Sequence, residues 1–322
     1  MFWNFLTLLL VLLGVGFLLA TVTVRLMAIV LLRPPRMTDG RAAWRLKRVS
    51  PGDLLLHYSD VKFTVRDEAD GRMFHLAAWW IPCPGAVARC AILLHGYGDA
   101  KIGSIAWAPT LHALGYHILA LDLRAHGESE GRYCTAGFFE RHDVSQVIDQ
   151  LKRDRPEDTR QIILFGISLG AAVAAATAVL REDLAAVVLE CPYPDYELAA
   201  ESHAEILGAP GAGIQRMAFR RAQQVAGADF NAVRPIELIP KIPCPVMVIR
   251  SEADVFIDDA HAAMVEEATR SRPAPFGPTV YWNAENAHHV AALYEDPELY
   301  KKKVGEFLET ALAWAPPVRA SD

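Results

Sequence analysis

A serine stands between two glycines in Gly166-Ile167-Ser168-Leu169-Gly170, where the strand-like run QIILF gives way to an alanine-rich stretch. A serine hydroxyl becomes a useful nucleophile when a strained, tight turn projects it toward a general base, and a strand-to-helix junction supplies such a turn. A side chain at either glycine would crowd the closely approaching strand and helix. The helix N-terminus behind the serine also favours developing negative charge. A second segment, Leu93-Leu94-His95-Gly96-Tyr97-Gly98-Asp99, follows another short apolar run. Its glycines permit a tight backbone in which the Tyr97 N–H faces the site, with the Leu169 N–H as the other donor of an oxyanion hole. His95 is read as a hydrogen-bonding support of that loop. In a third segment, LDLRAHGES at residues 121–129, His126 is likewise read as loop architecture.

These segments resemble the α/β-hydrolase superfamily, in the branch containing small esterases, lysophospholipase-like and monoacylglycerol-lipase-like enzymes and serine peptidases, over roughly residues 61–312. The resemblance implies the chain order nucleophile, acid, histidine. Downstream of Ser168, the run PVMVI leads into Arg250-Ser251-Glu252-Ala253-Asp254, which places Asp254 at the family's acid position, with Ser251 standing where the family usually has glycine. Glu252 and Asp258 are neighbouring alternatives, read as solvated surface carboxylates. The family's histidine loop matches Asn283-Ala284-Glu285-Asn286-Ala287-His288-His289-Val290. Both histidines are candidates, and the small, apolar residues after His289 favour it.

The resemblance then implies a mechanism. His289 takes the proton of Ser168 as the hydroxyl attacks an acyl carbonyl, Asp254 orients the imidazole, Tyr97 and Leu169 hold the oxyanion, and water releases the acyl group. No metal or organic cofactor is needed. A serine at this position excludes the carboxylate chemistry of dehalogenases. The expected activity is hydrolysis of a carboxylic ester in a small-molecule acyl substrate, with peptidase, amidase or thioesterase action as alternatives using the same triad. A reading of another class, a non-catalytic hydrolase-fold binding scaffold, is opposed by the presence of all three residue types in order.

The elements that must position these residues are legible as periodicity. VKFTV at 61–65 and FHLAAWWI at 74–81 form a leading hairpin. Short apolar runs follow at 91–94, 117–121, 161–165, 185–189, 245–249 and 279–282, separated by helical stretches at 104–114, 138–151, 169–180, 260–269 and 297–312. Alternation of this kind predicts an α/β-hydrolase fold with a mostly parallel central sheet and helices on both faces. Residues 192–243 break the rhythm with helical patterns at 196–207 and 214–224, and are read as a short helical lid. Trp79, Trp80, Tyr193, Tyr196 and Phe219 are either pocket lining or plain core.

From Phe5 to Val24 about 20 residues carry no charge, enough for a helix to span the hydrocarbon core. Arg25, Arg33, Arg36, Arg41, Arg45, Lys47 and Arg48 follow this run and no basic side chain precedes it, so the positive-inside bias predicts a single-pass anchor with a cytoplasmic catalytic domain. The alternative is a signal peptide cleaved to leave a secreted or periplasmic enzyme. The predicted organisation is an anchor at 1–32, a basic linker at 33–60, the hydrolase domain at 61–314 and a tail at 315–322. A second uncharged stretch, 162–180, is read as a buried strand turning into a packed helix, because its glycines and alanines suit burial better than lipid.

The formal net charge of −6 leaves little footprint for nucleic acid, which is not an expected partner. Five cysteines, Cys83, Cys90, Cys134, Cys191 and Cys244, form no C-x-x-C pair and are expected as buried free thiols. The oligomeric state has no sequence signature.

Overall fold

The computed structural model describes residues 2–85, 87–206, 208–209 and 211–314. Eight strands form one sheet: β1 (Ser59–Arg66), β2 (Met73–Ile81), β3 (Arg89–Leu94), β4 (His117–Leu121), β5 (Gln161–Ile167), β6 (Ala186–Glu190), β7 (Val246–Ser251) and β8 (Thr279–Ala284). Their order is β1-β2-β4-β3-β5-β6-β7-β8, with β2 antiparallel to both its neighbours and every other pair parallel. Each inner strand is buried on both sides. Along β3 and β5, Ile92, Leu94, Ile162 and Leu164 face one apolar cluster while Ala91, Leu93, Ile163 and Phe165 face the other. That alternation is why these strands read as continuous apolar runs.

Twelve helices accompany the sheet among the described residues: α1 (Phe2–Leu32), α2 (Asp39–Leu46), α3 (Lys101–Ser104), α4 (Ala108–Ala113), α5 (Glu140–Asp154), α6 (Leu169–Val179), α7 (Tyr196–Ile206), α8 (Ala212–Ala226), α9 (Pro235–Leu238), α10 (Asp259–Arg270), α11 (Ala292–Glu295) and α12 (Pro297–Ala313). The residues of α5 and α6 pack into the first cluster, those of α3, α4 and α12 into the second. The second uncharged stretch of the sequence forms β5 and α6, and α6 is buried from Leu169 to Ala178. Its small side chains let the helix lie directly on the sheet. The predicted helix over 104–114 is divided, with a 3-10 turn at Ile105–Trp107 before α4, whose second residue is Pro109. Proline at the start of a helix fits there because its missing N–H would be unpaired anyway.

The lid carries α7, α8 and α9 between β6 and β7. Residues 33–60, read as a linker, contain α2, whose Thr38 side chain accepts a hydrogen bond from the Arg41 N–H, and a 3-10 turn at Pro51–Leu54. The tail at 315–322 lies outside the described residues.

The first helix, α1, has 31 residues and a mean hydropathy of 2.7 in its most apolar window, none of which is buried. At 1.5 Å per residue it extends about 46 Å, longer than the roughly 30 Å hydrocarbon core. Its buried residues, Val24, Ala28 and Leu32, recur every fourth position near the C-terminal end, where the helix packs along α8. The exposed part and the docked part are thus successive segments of one helix.

The tryptophan pair belongs to the core and not to a pocket. Trp79 packs into one cluster, donating its indole N–H to Asp60 at 2.8 Å, and Trp80 into the other, stacked on His117. Tyr193, Tyr196 and Phe219 are also core residues, and Tyr196 and Phe219 pack with Phe230 on the inner side of the lid itself. All five cysteines are buried free thiols.

Candidate active site

Ser168 sits between the last residue of β5 and the first of α6 with φ +53° and ψ −113°, a backbone conformation unusual for a residue with a side chain. The flanking glycines explain how the turn is accommodated. A Cβ on Gly166 would lie 2.2 Å from the Gly170 carbonyl oxygen, and one on Gly170 would lie 2.0 Å from the Leu94 carbonyl oxygen. The Ser168 N–H donates to the Glu190 carbonyl at 2.8 Å, tying the turn to β6.

Three loops at the C-terminal ends of strands converge on this serine. After β8, His289 presents Nε2 to the Ser168 hydroxyl at 3.2 Å and donates from Nδ1 to Asp254 Oδ2 at 2.6 Å. After β7, Asp254 is held by its other oxygen, which accepts from the N–H groups of Phe256 at 2.9 Å and Ile257 at 3.0 Å. The Asp254 side chain is 1% exposed and that of His289 19%, so the acid is shielded while the imidazole faces the opening. After β3, Gly96, the residue before Tyr97, lies alongside the serine: a Cβ there would be in van der Waals contact with Ser168 Cβ, at 3.6 Å. Leu169 opens α6, and the first N–H groups of a helix lack intrahelical acceptors.

The other candidates take structural positions. His288 turns away, its Nδ1 donating to the Ala253 carbonyl at 3.2 Å. Glu252 accepts from the Asn286 N–H at 3.0 Å and Asp258 caps α10 by accepting from the His261 N–H at 2.8 Å. His95 accepts from the Leu123 N–H at 3.0 Å and donates to the Gly96 carbonyl at 2.8 Å. His126 donates to the Arg124 carbonyl at 2.9 Å. Burial pushes the imidazole of His95 down to about 4 and that of His126 to about 3, so both are neutral at neutral pH.

Several residues around the site were not assigned to it in the sequence. Cys191 Sγ accepts the Val290 N–H at 3.3 Å and lies 3.2 Å from Ser251 Oγ. Val290 has φ +59°, strained for a β-branched residue, and that thiol contact holds it in place next to His289. Ser251, the departure from the family's glycine, therefore has a partner across the site. Phe256 packs edge-on against His289 at 5.2 Å between centroids, and the lid residue His203 stacks on Phe256 at 4.3 Å. Glu190, fully buried, accepts from the Tyr300 hydroxyl at 2.5 Å and the Trp107 indole N–H at 2.9 Å. Cys191, Asp254 and His289 offer donor atoms within 4.8 Å of one another. Burial holds the Cys191 thiol protonated, and the carboxylate and imidazole are bonded to each other, an arrangement suited to proton transfer more than to a cation.

Comparison with known proteins agrees with this architecture. A family model described as serine aminopeptidase, S33, matches residues 85–223, which include Ser168 and the Tyr97 loop and end before Asp254. The Pyrococcus furiosus esterase Pf2001 superposes with a TM-score of 0.66 at 26% identity, covering 86% of this chain and 98% of that one. The protein YqkD of Bacillus subtilis is 28% identical over 70% of this chain and 73% of its own length. A lysophosphatidylserine lipase of Macaca fascicularis is 26% identical over 55% of this chain, and the match spans 47% of that protein. The alpha/beta hydrolase domain-containing protein aho-3 of Caenorhabditis elegans is 27% identical over 72% of this chain and 60% of its own length. The chain has the α/β-hydrolase fold.

Proposed function

We propose that the protein is a membrane-anchored serine hydrolase that cleaves a carboxylic ester through an acyl-enzyme. The observation that carries this reading is the continuous hydrogen-bonded series Ser168, His289, Asp254, assembled from three separate loops. His289 accepts the hydroxyl proton at Nε2 as Ser168 attacks the carbonyl carbon, and later returns it to the leaving alcohol. Asp254 keeps the other proton on Nδ1 and stabilises the imidazolium. Its second oxygen, held by two backbone N–H groups, prevents the carboxylate from rotating away. The N–H groups of Tyr97 and Leu169 receive the oxyanion, each such donor being worth about 10²–10³ in rate. A water activated by His289 then hydrolyses the acyl-serine, and the cycle calls for no metal or organic cofactor.

The ester assignment is supported by the similarity to an esterase structure and to a lipase. The membrane assignment is supported by the length and hydropathy of α1, and the basic residues that follow it favour a cytoplasmic catalytic domain. A small acyl substrate, and no nucleic acid, fits the negative net charge.

Treatment of the full-length protein with a fluorophosphonate probe, followed by peptide mapping, tests the proposal. Labelling is expected at Ser168, abolished in Ser168→Ala, and accompanied by turnover of ester over amide substrates. A folded chain that neither labels nor turns over any ester, thioester or amide would refute it.

A further inference from the structure

The last four carbonyls of an α-helix must find partners outside the helix or in the turn that follows. In α1 the Ile29 carbonyl accepts from the Arg33 N–H at 2.8 Å. The next three are taken by three separate segments of the catalytic domain. The Val30 carbonyl accepts from the Tyr97 hydroxyl, the Leu31 carbonyl from the Tyr196 hydroxyl at 3.1 Å, and the Leu32 carbonyl from the Cys134 N–H at 2.9 Å. Tyr97 lies on the oxyanion loop and Tyr196 is the first residue of the lid helix α7. Beyond the helix, Arg36 donates to the carbonyls of Gly127 at 2.7 Å and Ser129 at 2.8 Å. Pro35 packs against Gly98, which has φ +70°, so that an added Cβ would lie 3.4 Å from Pro35 Cγ. The stripe Val24, Ala28, Leu32 holds the same helix sideways against the lid.

We infer that the C-terminal end of α1 is a positioning element of the active site: the Val30 carbonyl fixes the Tyr97 side chain and, through it, the backbone N–H beside Ser168. The inference rests on the serine-hydrolase reading. The oxyanion loop carries two glycines around Tyr97 and has little intrinsic stiffness. An oxyanion donor acts only when it is preorganised to within about 0.5 Å. Bonding a side chain of that loop to the end of a helix anchored along its side supplies the stiffness. Tyr97 is a positioning residue through its hydroxyl, independently of the N–H on the same residue. Release of α1 from the lid, by any cause, would reach the chemistry through the same bond.

The test uses the full-length protein in detergent with a short, soluble ester. Tyr97→Phe keeps the backbone donor and the ring and removes only the hydroxyl. Ala28→Phe enlarges a buried residue on the docked stripe and displaces α1 without altering the catalytic loops. Both are expected to lower kcat about fivefold to twentyfold, with KM within about twofold. The rate of fluorophosphonate labelling should fall by a similar factor, and amide hydrogen exchange should quicken at residues 96–99. Tyr58→Phe, on the chain just before the edge strand β1, should change none of these. Kinetics and exchange of both variants indistinguishable from wild type would overturn the inference while leaving the hydrolase reading intact. A wild-type chain that neither labels nor turns over substrate would refute the hydrolase reading and the inference with it, so the two failures are distinct.

Discussion

Glu190 offers a quantitative test of the site's buried electrostatics. It ends β6 beneath Ser168 with no solvent exposure, and its Oε1 has no hydrogen-bond partner among the described residues. Burial pushes its carboxyl from 4.5 up to about 7, against the opposing pull of hydrogen bonds from Tyr300 and Trp107. Because the folded value lies above the unfolded one, the native state retains between these two pH values a proton that the unfolded chain has released. The stabilising contribution is therefore complete below about pH 4.5 and is lost as pH rises through about 7. At about 1.4 kcal/mol per unit, the loss amounts to about 3 kcal/mol. Glu190→Gln preserves the size and an accepting oxygen but cannot ionise. Urea unfolding of both proteins, at about pH 5 and about pH 8, should show the mutant gaining about 2–3 kcal/mol on wild type across the interval, part of the loss having already occurred at the lower pH. Asp99, which burial pushes up to about 6, is present in both proteins and cancels in the difference. A stability difference constant to within about 0.5 kcal/mol would refute the assignment of a neutral buried Glu190.

Two further outcomes are expected. His289→Ala should lower ester kcat by about 10³-fold or more, while His288→Ala, exposed and turned toward Ala253, should stay within about threefold of wild type; steady-state kinetics of the pair decides, and equal losses would contradict the geometry. Gly170→Ala would drive a methyl group to 2.0 Å from a backbone oxygen of β3 and should cost more than about 3 kcal/mol, whereas Gly213→Ala, with open space around it, should stay within about 0.5 kcal/mol. Thermal melting compares them, and a Gly170→Ala protein as stable as wild type would show that α6 can retreat from the sheet.

The strand pattern was legible because the inner strands are buried on both faces, so each appears as an unbroken apolar run ended by a glycine, a proline or a charge. Ser168 was legible from its two glycines, whose positions leave no room for a side chain. The sequence favoured His289 over His288 by the small, apolar residues after it, but adjacent residues in a loop differ chiefly in direction, and the geometry behind that direction, set by the backbone at Val290, was not legible. That backbone depends on Cys191, which lies 99 positions away in the chain and carries no local pattern. The docking of α1 was hidden for a related reason. Its apolar residues occur all around the helix, so the stripe of Val24, Ala28 and Leu32 that meets α8 does not stand out against its lipid-compatible neighbours. Aromatic pairs were similarly silent, since alternation along β2 sends Trp79 and Trp80 to opposite faces whatever their eventual role.

The lid leaves the sheet after Glu190 and returns at Val246, on strands that are immediate neighbours with Val187 opposite Val246. Its two ends thus lie at opposite ends of a pair of parallel strands, held at a fixed separation by the sheet, and doubling its length would add only about 0.6 kcal/mol of closure entropy. Ser168, Asp254, His289 and the Tyr97 loop all lie outside it. On the proposed reading, change confined to the exposed residues of the lid alters which substrates enter while leaving strand register and the contacts among Ser168, His289 and Asp254 in place. Such changes meet restraints at Tyr196, whose hydroxyl bonds the end of the first helix, at His203 against Phe256, and along α8 where that helix packs, so the freedom lies in the exposed residues of the lid.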